Sequence, residues 1–268
     1  MSTTTPTVPY RLEFSVEVPG TPEQVWHAIA TAPGMSAWFL PTELEEREGG
    51  AVHFSMGPDM GPDMGSDGHV TAWEPPRRLV CQEDWAALMG RDPDLLSPLT
   101  SEFVVEATSG GTCVVRVTSS GFGTGAAWDA EWWNDMGASW IPQFDKLRLY
   151  LAHFAGQSAT TMEAAATHPV AAEALWPALR EAVAPGDEGA PVEVRGVTGV
   201  VERIGDRDAL VRLTAPMPGL LQAAVHAMGD AETMAFVSAY LFSPDAAAYV
   251  EREQPAWQEW LSGLTPQR

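Results

Sequence analysis

The sequence predicts an α+β protein in which an antiparallel meander of strands wraps one long helix and a smaller α+β unit follows. Three observations predict it. Over residues 11–18 and again from 42 to 120, apolar side chains recur mainly at every second residue, the spacing that buries one face of a strand. After the glycine-rich stretch 121–125, Trp133, Met136, Trp140, Phe144, Leu147, Leu151 and Phe154 recur at steps of three and four, the stripe of a helix of roughly seven turns. Beyond a small, polar linker at 155–160, a helix, antiparallel strands and a terminal helix come again in shortened form, as in a degenerate second copy.

The elements follow in order. Residues 1–9, rich in Thr and Pro, read as a disordered tail. Leu12, Phe14, Val16 and Val18 alternate with Arg11, Glu13, Ser15 and Glu17, which makes a first strand. Thr21-Pro22-Glu23-Gln24 is a capping box with proline at the first helical position, so a short helix starts before Val25, Trp26 and Ile29. Pro33-Gly34 breaks it, and 35–40 reads as a second brief turn carrying Trp38 and Phe39. Strands are expected at 42–47, 50–56, 68–74, 78–85, 101–109 and 112–119, with Gly49-Gly50 and Gly110-Gly111 supplying tight turns. Val52, Phe54 and Met56 share one face and His53 takes the other; the repeat at 57–64 and the stretch 91–98 read as loops.

The long helix carries Glu131, Asp135, Asp145 and Lys146 on the side away from its stripe, so it lies on the meander's apolar face. In the second unit, 161–268, a helix is expected at 170–183, interrupted by Pro177. Strands follow at 192–203, 208–214, 220–227 and 232–241, the last two joined at Gly229-Asp230, and Pro244 opens a final helix through Trp257 and Leu261.

Composition narrows the function classes. The 268 residues hold 15 Lys and Arg against 36 Asp and Glu, a net charge of -21 that repels phosphate backbones and anionic membranes. Nucleic acid is not an expected partner. No apolar stretch approaches the roughly 20 residues of a membrane span, and the N-terminus lacks a basic start and apolar core, so a cytoplasmic location is expected. Cys81 and Cys113 lie in strand-like runs and read as buried, reduced thiols. Tryptophan is abundant, with six of 11 between Trp73 and Trp140, which places large aromatic surface in the first unit.

The order strand, two short helices, six antiparallel strands and long helix over 10–155 resembles the helix-grip fold of the START-like superfamily. Within it the chain is similar to bacterial homologues of the C-terminal domain of the activator of the ninety-kilodalton heat-shock protein ATPase. The motifs that carry this are Thr21-Pro22-Glu23-Gln24-Val25-Trp26, Trp38-Phe39, Gly68-His69-Val70-Thr71-Ala72-Trp73-Glu74-Pro75-Pro76-Arg77-Arg78-Leu79, and Gly121-Phe122-Gly123 ahead of Trp128-Asp129-Ala130-Glu131. They cover a little over half the chain. The resemblance implies a cavity between curved sheet and long helix of the kind that takes lipids, polyketides or hormones. It also implies co-chaperone work, although the Asn-Trp-His-Trp stimulating motif of the eukaryotic activator is absent.

The residues agree with a cavity. Phe39, Phe54, Trp85, Phe103, Trp133, Met136 and Trp140 are candidates to line an apolar pocket, and the same spacing is compatible with a filled core. Candidate acid–base residues are His69, which shares parity with Thr71 and Trp73, and Asp135, beside Met136; Glu102 and Arg116 read as a solvated pair. His53, His69, Asp59, Asp63 and Asp67 lack the spacing of a calcium loop, and neither a metal nor a cofactor is expected. No nucleotide-binding, nucleophile-elbow or zincin motif occurs. Arg195, Arg203, Arg207 and Arg212 read as surface ion pairs, open to carboxylates of the first unit or to an anion. The run 231–242 reads as a core strand, while an incomplete sheet with an exposed edge there would favour a homodimer or docking onto the first unit. The expected function is therefore binding of a small apolar molecule without covalent chemistry. The alternatives are an enzyme of polyketide-cyclase or hydrolase type using the same cavity, and a protein-interaction module.

Overall fold

The structure, a computed structural model, describes residues 8–55, 65–86, 90–229 and 231–266. The chain divides into two compact units, Met1–Gly156 and Gln157–Arg268. Met56, Asp59, Asp63, the repeat at 57–64 and Asp230 lie outside the described residues.

In the first unit, β1 (Val8–Pro19) leads to α1 (Pro22–Ala30) and α2 (Ala32–Met35). Then come β2 (Thr42–Leu44), β3 (Ala51–Ser55), β4 (Gly65–Glu74), β5 (Arg78–Asp84), β6 (Leu99–Ala107), β7 (Thr112–Gly123) and α3 (Ala127–His153). The seven strands form one antiparallel sheet in the order β1-β7-β6-β5-β4-β3-β2. Val8 and Pro9, read from sequence as disordered tail, instead pair with Gly123 and Phe122 in β1. The capping box of α1 forms: the Gln24 amide donates to Thr21 Oγ1 at 3.4 Å, and the Thr21 amide donates to Gln24 Oε1 at 2.9 Å. The second short helix comes earlier than 35–40. Thr31 caps it, accepting from the Gly34 amide, and Pro33 sits in its first turn, where no N–H is needed.

The start of α3 is held unusually. Its N-cap, Ala126, has no side chain able to cap, and Asp129 in the first turn reaches back instead. Asp129 is fully buried; its Oδ2 accepts from the Gly125 amide at 2.6 Å and from Thr124 Oγ1 at 3.0 Å. Trp133, Trp140, Phe144, Leu147 and Leu151 face the core as the spacing predicts, and Met136 is half-buried. Lys146 departs from the expectation, since it lies on the buried side of the helix rather than the solvated one.

The second unit runs β8 (Thr160–His168), α4 (Ala172–Val183), β9 (Pro191–Val194), β10 (Val197–Ile204), β11 (Asp208–Ala215), β12 (Gly219–Gly229), β13 (Glu232–Leu241) and α5 (Ala246–Ser262). Its six-stranded sheet has the order β8-β13-β12-β11-β10-β9, the winding of the first sheet with one strand fewer. Three expectations change here. β8 was not expected, because its Ala- and Thr-rich sequence carries little strand pattern; pairing with β13 along its length makes it a strand. The stretch 192–203 is two strands, since Arg195 (φ 47°) and Gly196 (φ 81°) form a turn with both φ values positive. β13 lies between β8 and β12 and is no edge, which removes the edge-pairing argument for a homodimer.

Helix α4 continues through Pro177, because Leu175, Trp176, Leu179 and Val183 bury one face and offset the missing backbone bond. Arg203, Arg207 and Arg212 pair with Asp208, Glu173 and Glu202, and Arg195 donates to the Ala256 carbonyl and lies over Trp257 and Trp260. All of these partners belong to the second unit. Among the described residues no helix is long and apolar enough to cross a membrane.

Asp129→Ala leaves the Gly125 amide and Thr124 hydroxyl without their acceptor, and should cost about 1–3 kcal/mol in a urea titration. An unchanged midpoint would mean that α3 starts without this anchor.

Candidate functional site

Register across the first sheet arranges its inward side chains in rows. Tyr10 opposes Gly121, and Leu99, Glu83 and Gly68 continue at the same level. The next row is Leu12, Ser119, Ser101, Cys81 and Val70. The third is Phe14, Val117, Phe103, Leu79 and Trp73. Large side chains fill the third row, whereas the middle of the second is two serines and a cysteine.

Helix α3 crosses these rows. Trp133 stacks on Tyr10, with ring centroids 5.3 Å apart, and covers Gly121, where an added Cβ would lie 3.3 Å from the indole. Gly137 sits over Leu12 and Phe14 without a side chain of its own. Trp140 meets Phe103, Phe144 and Phe39, the last in a parallel stack at 5.4 Å, and Phe39 meets Phe54 edge-on. One end of the helix–sheet gap is thus closed by rings packed on rings. At the other end Trp85 packs against Trp132, which meets Trp133 edge-on, and Trp85, Trp132 and Met136 are all half-buried.

Toward this half-buried end the floor of the sheet is polar. Glu83 is 5% exposed, and its Oε2 accepts both from Ser66 Oγ at 2.7 Å and from Trp85 Nε1 at 3.0 Å. Both bonds fall on one oxygen. Burial raises the Glu83 carboxyl above its ordinary value near 4.5, against the opposing pull of the Ser66 and Trp85 bonds. Burial, with the Glu83 charge beside it, pushes the Cys81 thiol up to about 12, which makes it an inert thiol rather than a nucleophile. Ser119 is fully buried, and its Oγ has no hydrogen-bond partner among the described residues.

The residues expected to line a pocket separate into two groups. Phe39, Phe54, Phe103 and Trp140 form the packed aromatic end, while Trp85, Trp133 and Met136 border the polar floor. The acid–base candidates His69 and Asp135 are exposed. A β-bulge between Val70 and Ala72 turns Trp73 inward opposite Leu79, so His69 does not share its face and stays opposite Ala51 and Gln82. Glu102 and Arg116 are solvated but not paired with each other; they bind Arg78 and Glu106. His53 bonds Asp67 at 2.8 Å, and among the described residues no group of three or more His, Cys, Asp or Glu is arranged to hold a metal. Cys81 and Cys113 are free and buried.

Glu83, Ser66, Ser101 and Ser119 escaped the sequence reading. A signal for Glu83 existed, since Leu79, Cys81 and Glu83 alternate on one strand and must share a face.

Comparison with known proteins adds the following. A family model, described as "Activator of Hsp90 ATPase homolog 1-like protein", matches residues 19–152. No curated protein matches the sequence. Protein MLL2253 from Mesorhizobium loti is 22% identical with a TM-score of 0.45, covering 54% of this chain and 98% of its own. The di-domain ARO/CYC BexL from the BE-7585A biosynthetic pathway is 11% identical with a TM-score of 0.44, covering 97% of this chain and 99% of its own. The Aha1 dimer from Colwellia psychrerythraea is 18% identical with a TM-score of 0.40, covering 53% of this chain and 96% of its own.

A carboxyl whose folded pKa is raised contributes stability below its unfolded pKa and loses it as pH climbs through the folded value. As pH rises above the ordinary carboxylate range, wild-type stability should therefore fall relative to Glu83→Gln. Parallel stability curves for the two proteins would contradict the assignment of Glu83 as a buried acid.

Proposed function

The chain belongs to the family of Activator of Hsp90 ATPase homolog 1-like proteins, and on that premise we propose that its first unit binds a small, largely apolar molecule without covalent chemistry. The ligand lies between α3 and the sheet, over the row of Cys81, Ser101 and Ser119. Trp133 and Met136 flank it, Trp85 and Trp132 border the half-buried side, and the packed rings of Phe39, Phe54, Phe103 and Trp140 close the back.

The observation that carries this reading is the row of small side chains Cys81, Ser101 and Ser119 on the inner face of the sheet, with the buried Ser119 hydroxyl unpartnered among the described residues. Serines and a cysteine are far smaller than the indoles of Trp133 and Trp140, and a buried hydroxyl is normally satisfied, so a ligand over this row would supply both the missing volume and the missing partner. The second unit supports the reading by contrast. The matching row of its sheet, Met162, Ala239, Leu221, Val211 and Val201, is apolar throughout and belongs to a core with Trp176, Leu179, Tyr249 and Trp257. The second unit is accordingly assigned a structural role. Catalysis is the second reading, favoured by Glu83, a buried carboxyl able to exchange a proton with a bound molecule.

Mass spectrometry of the purified chain under native and then denaturing conditions tests the proposal: a small apolar compound should travel with the folded protein and be released on unfolding. Ser119→Val provides the structural check. Filling an open row and removing an unpaired hydroxyl should raise stability by about 1 kcal/mol and abolish ligand uptake. A loss of about 1–3 kcal/mol would show the row already tightly packed and end the pocket reading.

A further inference from the structure

The Glu83 carboxyl is asymmetric. Its Oε2 takes two donors, Ser66 Oγ and Trp85 Nε1, while Oε1 has no hydrogen-bond partner among the described residues. Neither donor carries charge, and no Lys, Arg or His forms an ion pair with Glu83 among the described residues. A carboxylate buried without a counter-charge is costly, and the protonated acid is the form such a site favours. Two N–H and O–H donors on Oε2 mark it as the carbonyl oxygen, which leaves the proton on Oε1. Glu83 extends from the inner face of β5, one step along that face from Cys81 and the small-residue row.

We propose that Glu83 is the polar anchor of the pocket, donating a hydrogen bond from Oε1 to an acceptor oxygen of the ligand, and that the ligand is a neutral, largely apolar molecule carrying a carbonyl. This rests on the pocket reading above and names its ligand class. Trp85 ties the anchor to the half-buried side: its indole N–H holds Oε2 while its ring packs on Trp132, so the carboxyl is oriented before a ligand arrives. A saturated hydrocarbon would leave the Oε1 donor unsatisfied on binding, and a cationic amine would require the charged form that the site disfavours.

The test uses the full chain and three probes of one shape: 2-acetonaphthone, 2-ethylnaphthalene and 1-(2-naphthyl)ethylamine, with binding followed by tryptophan fluorescence. Wild type should bind the ketone about tenfold more tightly than the hydrocarbon. Glu83→Gln keeps an acceptor for Ser66 and Trp85 and presents an N–H donor where Oε1 stood, so it should retain the preference; Glu83→Met should erase it while still binding both. Equal binding of ketone and hydrocarbon by wild type would overturn the anchor and leave the pocket standing. Tightest binding of the amine would overturn the neutral acid. Failure of all three probes to bind would overturn the pocket reading and the anchor with it. The wild-type comparison requires no variant to fold.

Discussion

The first unit depends on how the gap between α3 and the concave sheet is filled. A helix crossing a curved sheet rests on its largest contacts, and here those are Trp133 on Tyr10 at one end and Trp140 among Phe39, Phe103 and Phe144 at the other. Asp129 fixes where the helix begins, so these contacts fall in register with the rows below. Between those contacts the sheet presents two serines and a cysteine, side chains much smaller than the indoles on either side. The chemistry of the site follows from that mismatch in side-chain size.

Two sheets of the same winding meet this constraint in different ways. In the second unit the inner rows are built of Ala, Val and Leu, and two helices deliver Trp176, Leu179, Tyr249, Trp257 and Leu261 onto them. Small alanines there let the covering helices approach closely, and the row that matches the serines and cysteine of the first unit is apolar throughout. In the first unit the row of small residues is polar, and a carboxyl stands at its side. Buried polar groups are expensive unless satisfied, which is why Ser119 and Glu83 stand out more than the aromatic residues around them. The rings form the core of the unit, and beside them lie the buried polar groups Ser66, Glu83, Ser101 and Ser119.

Much of the architecture was legible in the sequence because it is encoded locally. The capping box at Thr21, the alternation of Leu12 to Val18 and the stripe from Trp133 to Phe154 each fit within one element, and each forms as written. The misreadings have a common origin in contacts distant along the chain. β8 is a strand because β13 pairs with it, and β13 is interior for the same reason. His69 changed faces relative to Trp73 because a bulge inserts one residue between them, and parity counted on one strand cannot register a bulge. Lys146 falls on the side opposite the apolar stripe by helical spacing, yet it lies buried.

The sequence by itself determined the fold class, the order of the elements in the first unit and the aromatic residues of its interior, because periodicity and capping act within a few residues of one another. Tertiary structure alone decided which aromatic residues pack on each other and which border the floor. It also decided that Glu83, Ser66 and Trp85 converge, though they come from two strands and the residue after one of them. Hydrogen-bond partners across strands are set by register, and register is a property of the assembled sheet.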